Sequence, residues 1–222
     1  MTLRVVAVAD THTFEGDFRE IPDGDVFVHA GDLCRGGRLS ELESVAAWIS
    51  ALPHTYKLVV PGNHDWSFVK EPLASRALLG ESVTVLEDRG VEIEGVRFWG
   101  SPWQPEFHQW AFNLPRGRAL AEKWALIPAD THVLVTHGPP EGIGDRTLTN
   151  GRQGCADLLA RVRVIAPKLH MFGHIHEDGG AWQHGPTWFA NVTTWECERA
   201  PTVFDVSAEG ATPVLVPPRS TR

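Results

Sequence analysis

Short runs of valine, isoleucine and leucine recur along this chain, and five of them stop at a side chain that can bind a metal. The runs lie at Leu3–Ala9, Val26–Ala30, Tyr56–Val60, Val83–Leu86, Val96–Trp99, His132–Thr136 and Lys168–Phe172. Continuous apolar stretches of this length predict strands buried on both faces, which need cover above and below. Helical periodicity fills several of the gaps. Within Leu39–Leu52 the residues Leu39, Leu42, Val45, Ala46, Ile49 and Leu52 keep to one helix face, with Ser40 and Glu43 as the expected capping box. Gly117–Leu126 and Gly154–Ile165 read as further helices. Val91–Trp99 reads as a hairpin turning at Glu94-Gly95, and Val203–Val216 as another turning at Glu209-Gly210. This order predicts an α/β sandwich with a mixed sheet system. No internal repeat or low-complexity linker interrupts it, so residues 1–216 are expected to form a single domain and residues 217–222 a loose C-terminal tail.

The five endings read Val8-Ala9-Asp10-Thr11-His12, His29-Ala30-Gly31-Asp32, Val60-Pro61-Gly62-Asn63-His64-Asp65, Val135-Thr136-His137-Gly138 and Phe172-Gly173-His174-Ile175-His176. One such ending is an ordinary turn or cap. Five of them invert the odds, because ligands of open α/β sheets bind beyond the carboxyl ends of strands. Asp, Asn and neutral His are oxygen and nitrogen donors suited to Mn, Fe, Zn or Ni, and no cysteine belongs to the set. Asp10, His12, Asp32, Asn63, His137, His174 and His176 are too many ligands for one tetrahedral ion. They suffice for two divalent ions if one carboxylate bridges, and Asp32 is the natural bridge.

Composition narrows the alternatives. A mixture of 42% hydrophobic and 22% charged residues excludes wholesale disorder, collagen and coiled coil. A chain of 222 residues needs no metal merely to fold, so a metal here implies function. The net charge of -8 disfavours long nucleic acid as a partner, whereas two ions against two aspartates leave local positive charge for a small phosphate ester. Cys34, Cys155 and Cys197 are odd in number and form no C-x-x-C pair, which predicts a cytoplasmic protein. The N-terminal apolar run is too short for a signal peptide or a membrane span, so no membrane role is expected.

The ordered set Asp-x-His, Gly-Asp, Gly-Asn-His-Asp, His-Gly and Gly-His-x-His resembles the calcineurin-like metallophosphoesterase superfamily over Asp10 to His176. That resemblance implies a four-layer α-β-β-α sandwich of two mixed β-sheets flanked by helices. It also implies one metal on Asp10, His12, Asp32 and His176, and a second on Asp32, Asn63, His137 and His174. Trp110-Ala111-Phe112-Asn113-Leu114-Pro115-Arg116-Gly117, Lys123-Trp124-Ala125-Leu126-Ile127-Pro128 and Thr136-His137-Gly138-Pro139-Pro140 are similar to the metallophosphoesterase domain-containing branch. Members of that branch act on phosphodiesters, cyclic nucleotides among them. Some animal members carry glycine at the position of His174; this chain has the histidine, so a complete centre is expected. Gly31-Asp32-Leu33-Cys34-Arg35-Gly36 and Gly62-Asn63-His64-Asp65 depart from the protein serine/threonine phosphatase pattern, which makes a phosphoprotein substrate a poor expectation.

The expected reaction is hydrolysis by a hydroxide shared between two ions, Mn foremost, with attack in line on phosphorus. His64 is assigned to protonate or stabilise the leaving oxygen, and Asp65 to orient its ring. Arg35 is the first candidate for a phosphate clamp, ahead of Arg38, Arg116 and Arg146, and Asn191 is a candidate to reach the substrate from the C-terminal region. Trp66, Trp103, Phe107 and Trp110 are candidates for an aromatic wall. The rival readings are a phosphomonoesterase, a nuclease on the same metals, and a scaffold that has lost catalysis.

Overall fold

A computed structural model describes residues 1–219. In chain order its elements begin with β1 (Leu3–Val8), β2 (Val26–His29), α1 (Leu39–Ala51), β3 (Tyr56–Val59), α2 (Ser67–Lys70) and α3 (Pro72–Leu79). Next come β4 (Val83–Val85), β5 (Arg89–Ile93), β6 (Val96–Ser101), β7 (Gln104–Pro105), β8 (Asn113–Leu114) and α4 (Arg118–Trp124). The remainder is β9 (Val133–Thr136), α5 (Ala156–Ile165), β10 (Leu169–Phe172), β11 (Gly180–His184), β12 (Thr187–Asn191), β13 (Thr202–Val206) and β14 (Ala211–Leu215).

The strands form two six-stranded mixed sheets, ordered β14-β13-β1-β2-β3-β4 and β11-β12-β10-β9-β6-β5, with β7 and β8 paired separately. In the first sheet β1 to β4 run parallel, β13 returns antiparallel to β1, and β14 pairs antiparallel to β13. In the second, β6, β9, β10 and β12 run parallel between antiparallel edges. Alternate residues of β1 feed different layers, as the twofold period of a strand requires. Val5 and Ala7 pack between the sheets with Val28, Val133, Val135 and Met171, while Val6 and Val8 face outward to Leu42, Val45 and Ile49 of α1. On the far side Leu134, Phe172 and Phe189 meet Leu120 and Trp124 of α4 and Leu158 and Val162 of α5. Three apolar layers therefore separate four structural ones, the α-β-β-α sandwich that the resemblance implied.

Two local expectations are corrected, and three elements, α2, α3 and β11, appear that the sequence did not announce. The helix α1 starts at Leu39, so Glu41 rather than Glu43 is its third residue, and the Glu41 carboxylate accepts the Arg38 and Gly36 backbone N–H groups at 3.1 and 3.0 Å. Full burial of one leucine contributes about 1.5–3 kcal/mol, more than a typical cap at about 1 kcal/mol, so packing of Leu42, Val45 and Ile49 sets this helix. The helices α2 and α3, four and eight residues long, are too short to stand out in the sequence. The edge strand β11 is half exposed and lacks a continuous apolar run. Residues 217–219 are tied down: Arg199, 5% exposed, donates to the carbonyls of Pro217, Pro218 and Thr193 at 2.8, 3.0 and 2.9 Å. Arg219 pairs with Asp178 at 3.0 Å. The rest of the expected loose tail, residues 220–222, lies outside the described residues.

Candidate metal centre

The carboxyl ends of β1, β2, β3, β9 and β10 gather at one edge, where the sheets are joined. Ala9 N donates to Val192 O at 3.1 Å and Thr194 N donates to Ala9 O at 2.9 Å, so the chain leaving β1 lies against the chain leaving β12. Asp10 N donates to Gly31 O at 2.9 Å and His12 N to Asp32 O at 3.1 Å, which lays the first two loops side by side. Gly31 has φ +105°, and a Cβ there would sit 2.3 Å from His137 Nδ1. Only glycine permits that approach. Asp10, His12, Asp32 and His174 all have left-handed backbones, with φ of 57, 47, 57 and 70°. Such conformations cost roughly 1–3 kcal/mol each and concentrate where a site over-determines them.

Among the described residues three overlapping groups of donor atoms result: Asp10, His12 and His176; His12, Asp32 and His64; Asp32, His137 and His174. Within each group the donor atoms lie no more than 4.8 Å apart. Asp32 is common to two of them. Asn63 joins through its Oδ1, 2.8 Å from His137 Nε2. All seven side chains singled out at the strand ends thus meet in one place.

The orientation of the imidazoles tests whether a cation fits. His12 Nδ1 lies 3.0 Å from Cys34 O, and His137 Nδ1 lies 3.0 Å from Ala30 O. A carbonyl only accepts, so each Nδ1 donates its hydrogen and each Nε2 faces the centre. There His137 Nε2 meets Asn63 Oδ1 at 2.8 Å and Asp32 Oδ1 at 3.4 Å, while His12 Nε2 meets His176 Nε2 at 3.5 Å. Lone pairs facing lone pairs demand positive charge between them.

Left to themselves the side chains can meet that demand only with protons. Burial works to lower His137, yet the Asp32 carboxylate outweighs it and lifts the imidazole to about 9. Burial likewise opposes charge on His176, which Asp10 overcomes. His174 is pushed down to about 3 by burial, reinforced by His137, and His12 is lowered chiefly by burial, so both are neutral imidazoles with lone pairs to offer. Burial would raise Asp10 and Asp32, but the neighbouring histidines hold both well below the usual carboxylate range. Two carboxylates, one amide oxygen and four imidazoles are a donor set that two borderline divalent ions would satisfy.

His64 stands at the rim of this cluster. Its backbone N–H donates to Asp32 Oδ1 at 2.8 Å and its Nδ1 lies 2.5 Å from Arg35 O, which turns Nε2 away from that carbonyl. Asp65 does not orient that ring. Its buried carboxylate accepts the backbone N–H groups of Leu33, Cys34 and Gly62 at 3.2, 2.9 and 2.7 Å, tying the Asp32 loop to the Asn63 loop. Burial, with Asp32 nearby, raises Asp65 to about 6 against those hydrogen bonds. Asn191 also turns inward. Its Nδ2 donates to Gly144 O at 3.0 Å and Ile175 O at 2.7 Å, and its Oδ1 accepts from Thr193 N, so it holds the loop between His174 and His176 rather than facing a substrate. The exposed Arg35 guanidinium lies 4.0 Å above the Phe14 ring, and its backbone carbonyl is what touches His64.

A model of the calcineurin-like phosphoesterase family matches residues 3–178. The chain belongs to that family. Among curated relatives, metallophosphoesterase domain-containing protein 1 of Homo sapiens is 40% identical over 215 residues, covering 86% of this chain and 65% of the relative. The chain thus spans just under two thirds of that relative's length. One solved structure superposes with a TM-score of 0.74 at 19% identity, covering 97% of this chain and all of its own. The structure of TT1561 of Thermus thermophilus superposes with a TM-score of 0.65 at 15% identity, covering 96% of this chain and 98% of its own. At such identities these two likenesses concern the fold alone.

In this calcineurin-like phosphoesterase a cavity of about 270 Å³ opens directly against His174 and His176. Phe107, Trp195, Thr147, Asn150, Gln153 and Arg116 line much of it. Arg116 is held there by donating to Gly154 O at 2.7 Å and Gln153 O at 2.8 Å. Of the four aromatic residues suspected of forming a wall, Phe107 lines the cavity and Trp110 stacks on His64, whereas Trp103 bonds Asp88 and Trp66 packs at the edge of the core. Trp195, 5.8 Å from His176 between ring centroids, was missed. A signal existed: β12 is parallel to β10, so Thr193-Thr194-Trp195 is one more strand ending at the same edge, but it bears no metal-binding side chain.

Proposed function

We propose that this protein is a dinuclear metal-dependent phosphodiesterase for small phosphodiesters, with cyclic nucleotides as its first substrate class. The observation that carries this reading is the inward-facing set of lone pairs on Asp10, His12, Asp32, Asn63, His137, His174 and His176, in a chain of the calcineurin-like phosphoesterase family. Those seven residues would hold two ions, Mn foremost with Fe, Zn or Ni as alternatives, and Asp32 would be common to both. When bound, such ions supply charge against the phosphoryl oxygens and lower the pKa of water toward neutrality.

The chain's own residues account for the rest. His64, its Nδ1 engaged by Arg35 O, presents Nε2 to give a proton to the leaving oxygen, a role that contributes about 10²- to 10⁴-fold. His174 and His176 border the cavity, which receives the substituent that stays on phosphorus. Room on that side and a proton donor on the other support a diester over a monoester. The net charge of -8 supports a small ester over a long nucleic acid, and three unpaired buried thiols support a cytoplasmic location. No helix among the described residues is long and apolar enough to cross a membrane.

The test is metal-free protein reconstituted with Mn, Zn, Fe, Ni or Mg. It is then assayed on bis-p-nitrophenyl phosphate, p-nitrophenyl phosphate, 2′,3′- and 3′,5′-cyclic nucleotides and single-stranded DNA. Diester turnover with the first four ions is expected. Monoester turnover well above every diester, or no metal retained under any condition, would overturn the proposal.

A further inference from the structure

Trp110 covers one face of His64: the ring centroids are 4.0 Å apart and the planes differ by 31°. On another side His12 meets the same imidazole edge-on, with centroids 4.6 Å apart. The indole stands on a rigid platform. Gln104 Nε2 donates to Ala111 O at 2.7 Å and to Asn113 Oδ1 at 2.8 Å, and Gln104 N donates to Phe112 O at 3.2 Å, which locks residues 111–113 onto β7. The same segment is tethered to the site, because Ala111 N donates to Asn63 O at 3.0 Å. Phe112 turns with φ 54° and packs edge-on against Trp103, 5.6 Å away, which anchors the turn that follows Trp110.

We infer that Trp110 is a positioning residue for His64, clamping the imidazole between its indole and His12 so that Nε2 points at the leaving oxygen. This rests on the leaving-group role proposed for His64. The physical need is clear from the other contacts. Arg35 O holds Nδ1 by one hydrogen bond, worth about 0.5–1.5 kcal/mol net, which leaves the ring free to swing about that contact. An aromatic stack adds about 0.5–1.5 kcal/mol and blocks the swing sterically. A proton donor must sit within about 3 Å of its target, and a displacement of about 1 Å can cost 10²-fold.

The test compares Trp110→Ala, Trp110→Phe, His64→Ala and the double variant His64→Ala/Trp110→Ala, all at equal metal content. One substrate is a 2′,3′-cyclic nucleotide, whose alkoxide leaving group needs a proton; the other is bis-p-nitrophenyl phosphate, whose phenolate does not. Trp110→Ala should lower kcat on the cyclic nucleotide by about 10- to 100-fold and on the aryl diester by less than about threefold. Trp110→Phe should restore most of the loss, and Trp110→Ala should add nothing in the His64→Ala background. In ¹³C-histidine NMR, assigned with His64→Ala, the indole should shift the His64 ring protons upfield, a shift that Trp110→Ala abolishes. If His64→Ala itself spared the cyclic nucleotide, the role proposed for His64 would fail. If His64→Ala were selective but Trp110→Ala and Trp110→Phe slowed both substrates alike, or left the His64 ring shift unchanged, the clamp would be wrong.

Discussion

The backbone N–H of His174 donates to both carboxylate oxygens of Asp10, at 3.1 and 3.0 Å, across 164 positions of sequence. One side chain from the end of β1 thereby positions the loop leaving β10, and the two sheets share their functional edge. Asp10→Ala should remove a candidate metal ligand and release that loop together. Metal affinity should fall by more than about tenfold and the His174 amide should lose its protection from hydrogen exchange. Asp10→Asn keeps an acceptor for that amide while losing the charge, so metal affinity should fall with the amide still protected. Equilibrium metal titration and amide exchange separate the two.

Asp65 predicts a loss of stability without a change of chemistry. In Asp65→Asn one carboxylate oxygen becomes an amide nitrogen, which leaves at least one of the Leu33, Cys34 or Gly62 N–H groups buried and unpaired. Each such group costs about 1–3 kcal/mol. Urea unfolding should show that loss, while the activity that survives keeps the wild-type dependence on leaving group. An Asp65→Asn profile matching His64→Ala would return Asp65 to the catalytic role expected from sequence.

His170 predicts part of the acid sensitivity. It is fully buried, its Nε2 lies 2.8 Å from the Thr136 hydroxyl and its Nδ1 has no hydrogen-bond partner among the described residues. Burial pushes it down to about 3, against an ordinary 6.5. Between those values the unfolded chain takes up a proton that the folded chain refuses, so stability falls as pH drops below 6.5, by up to about 1.4 kcal/mol per pH unit. His170→Leu should flatten that limb. Thermal melts from pH 8 to pH 5 would show a smaller decline than wild type; an unchanged slope would contradict the assignment.

Phe107 predicts a binding effect. Its ring, 44% exposed, forms part of the cavity wall and lies 6.3 Å from His174 between centroids. Phe107→Ala should raise KM for a diester bearing an aromatic group by about three- to tenfold, the worth of one aromatic contact, with little change in kcat. Steady-state kinetics on aryl and alkyl diesters would check it: an equal rise for both would place the aromatic group elsewhere.

The candidate metal ligands were legible because each sits one to four positions beyond an apolar run, and strand ends can be read locally. Asp10, His12, Asp32, Asn63, His137, His174 and His176 needed no knowledge of packing. Neighbourhood along the chain misled at Asp65, which follows His64 yet bonds residues 31 and 32 positions back. Asn191 looked available for the same reason, since nothing in Trp188-Phe189-Ala190-Asn191-Val192 discloses that Gly144 O and Ile175 O take both of its amide hydrogens.

Strand period, helix period and donor chemistry are properties of a few neighbouring residues, so the α/β order and the candidate ligands were readable in the sequence, while the four layers came with the family resemblance. The direction in which each imidazole faces and the aromatic ring that clamps His64 come from the tertiary structure alone. Those depend on carbonyls and ring faces brought within 3 to 4 Å from distant parts of the chain, such as Ala30 O on His137 and Trp110 on His64. Such contacts exist only once two sheets have closed on one edge.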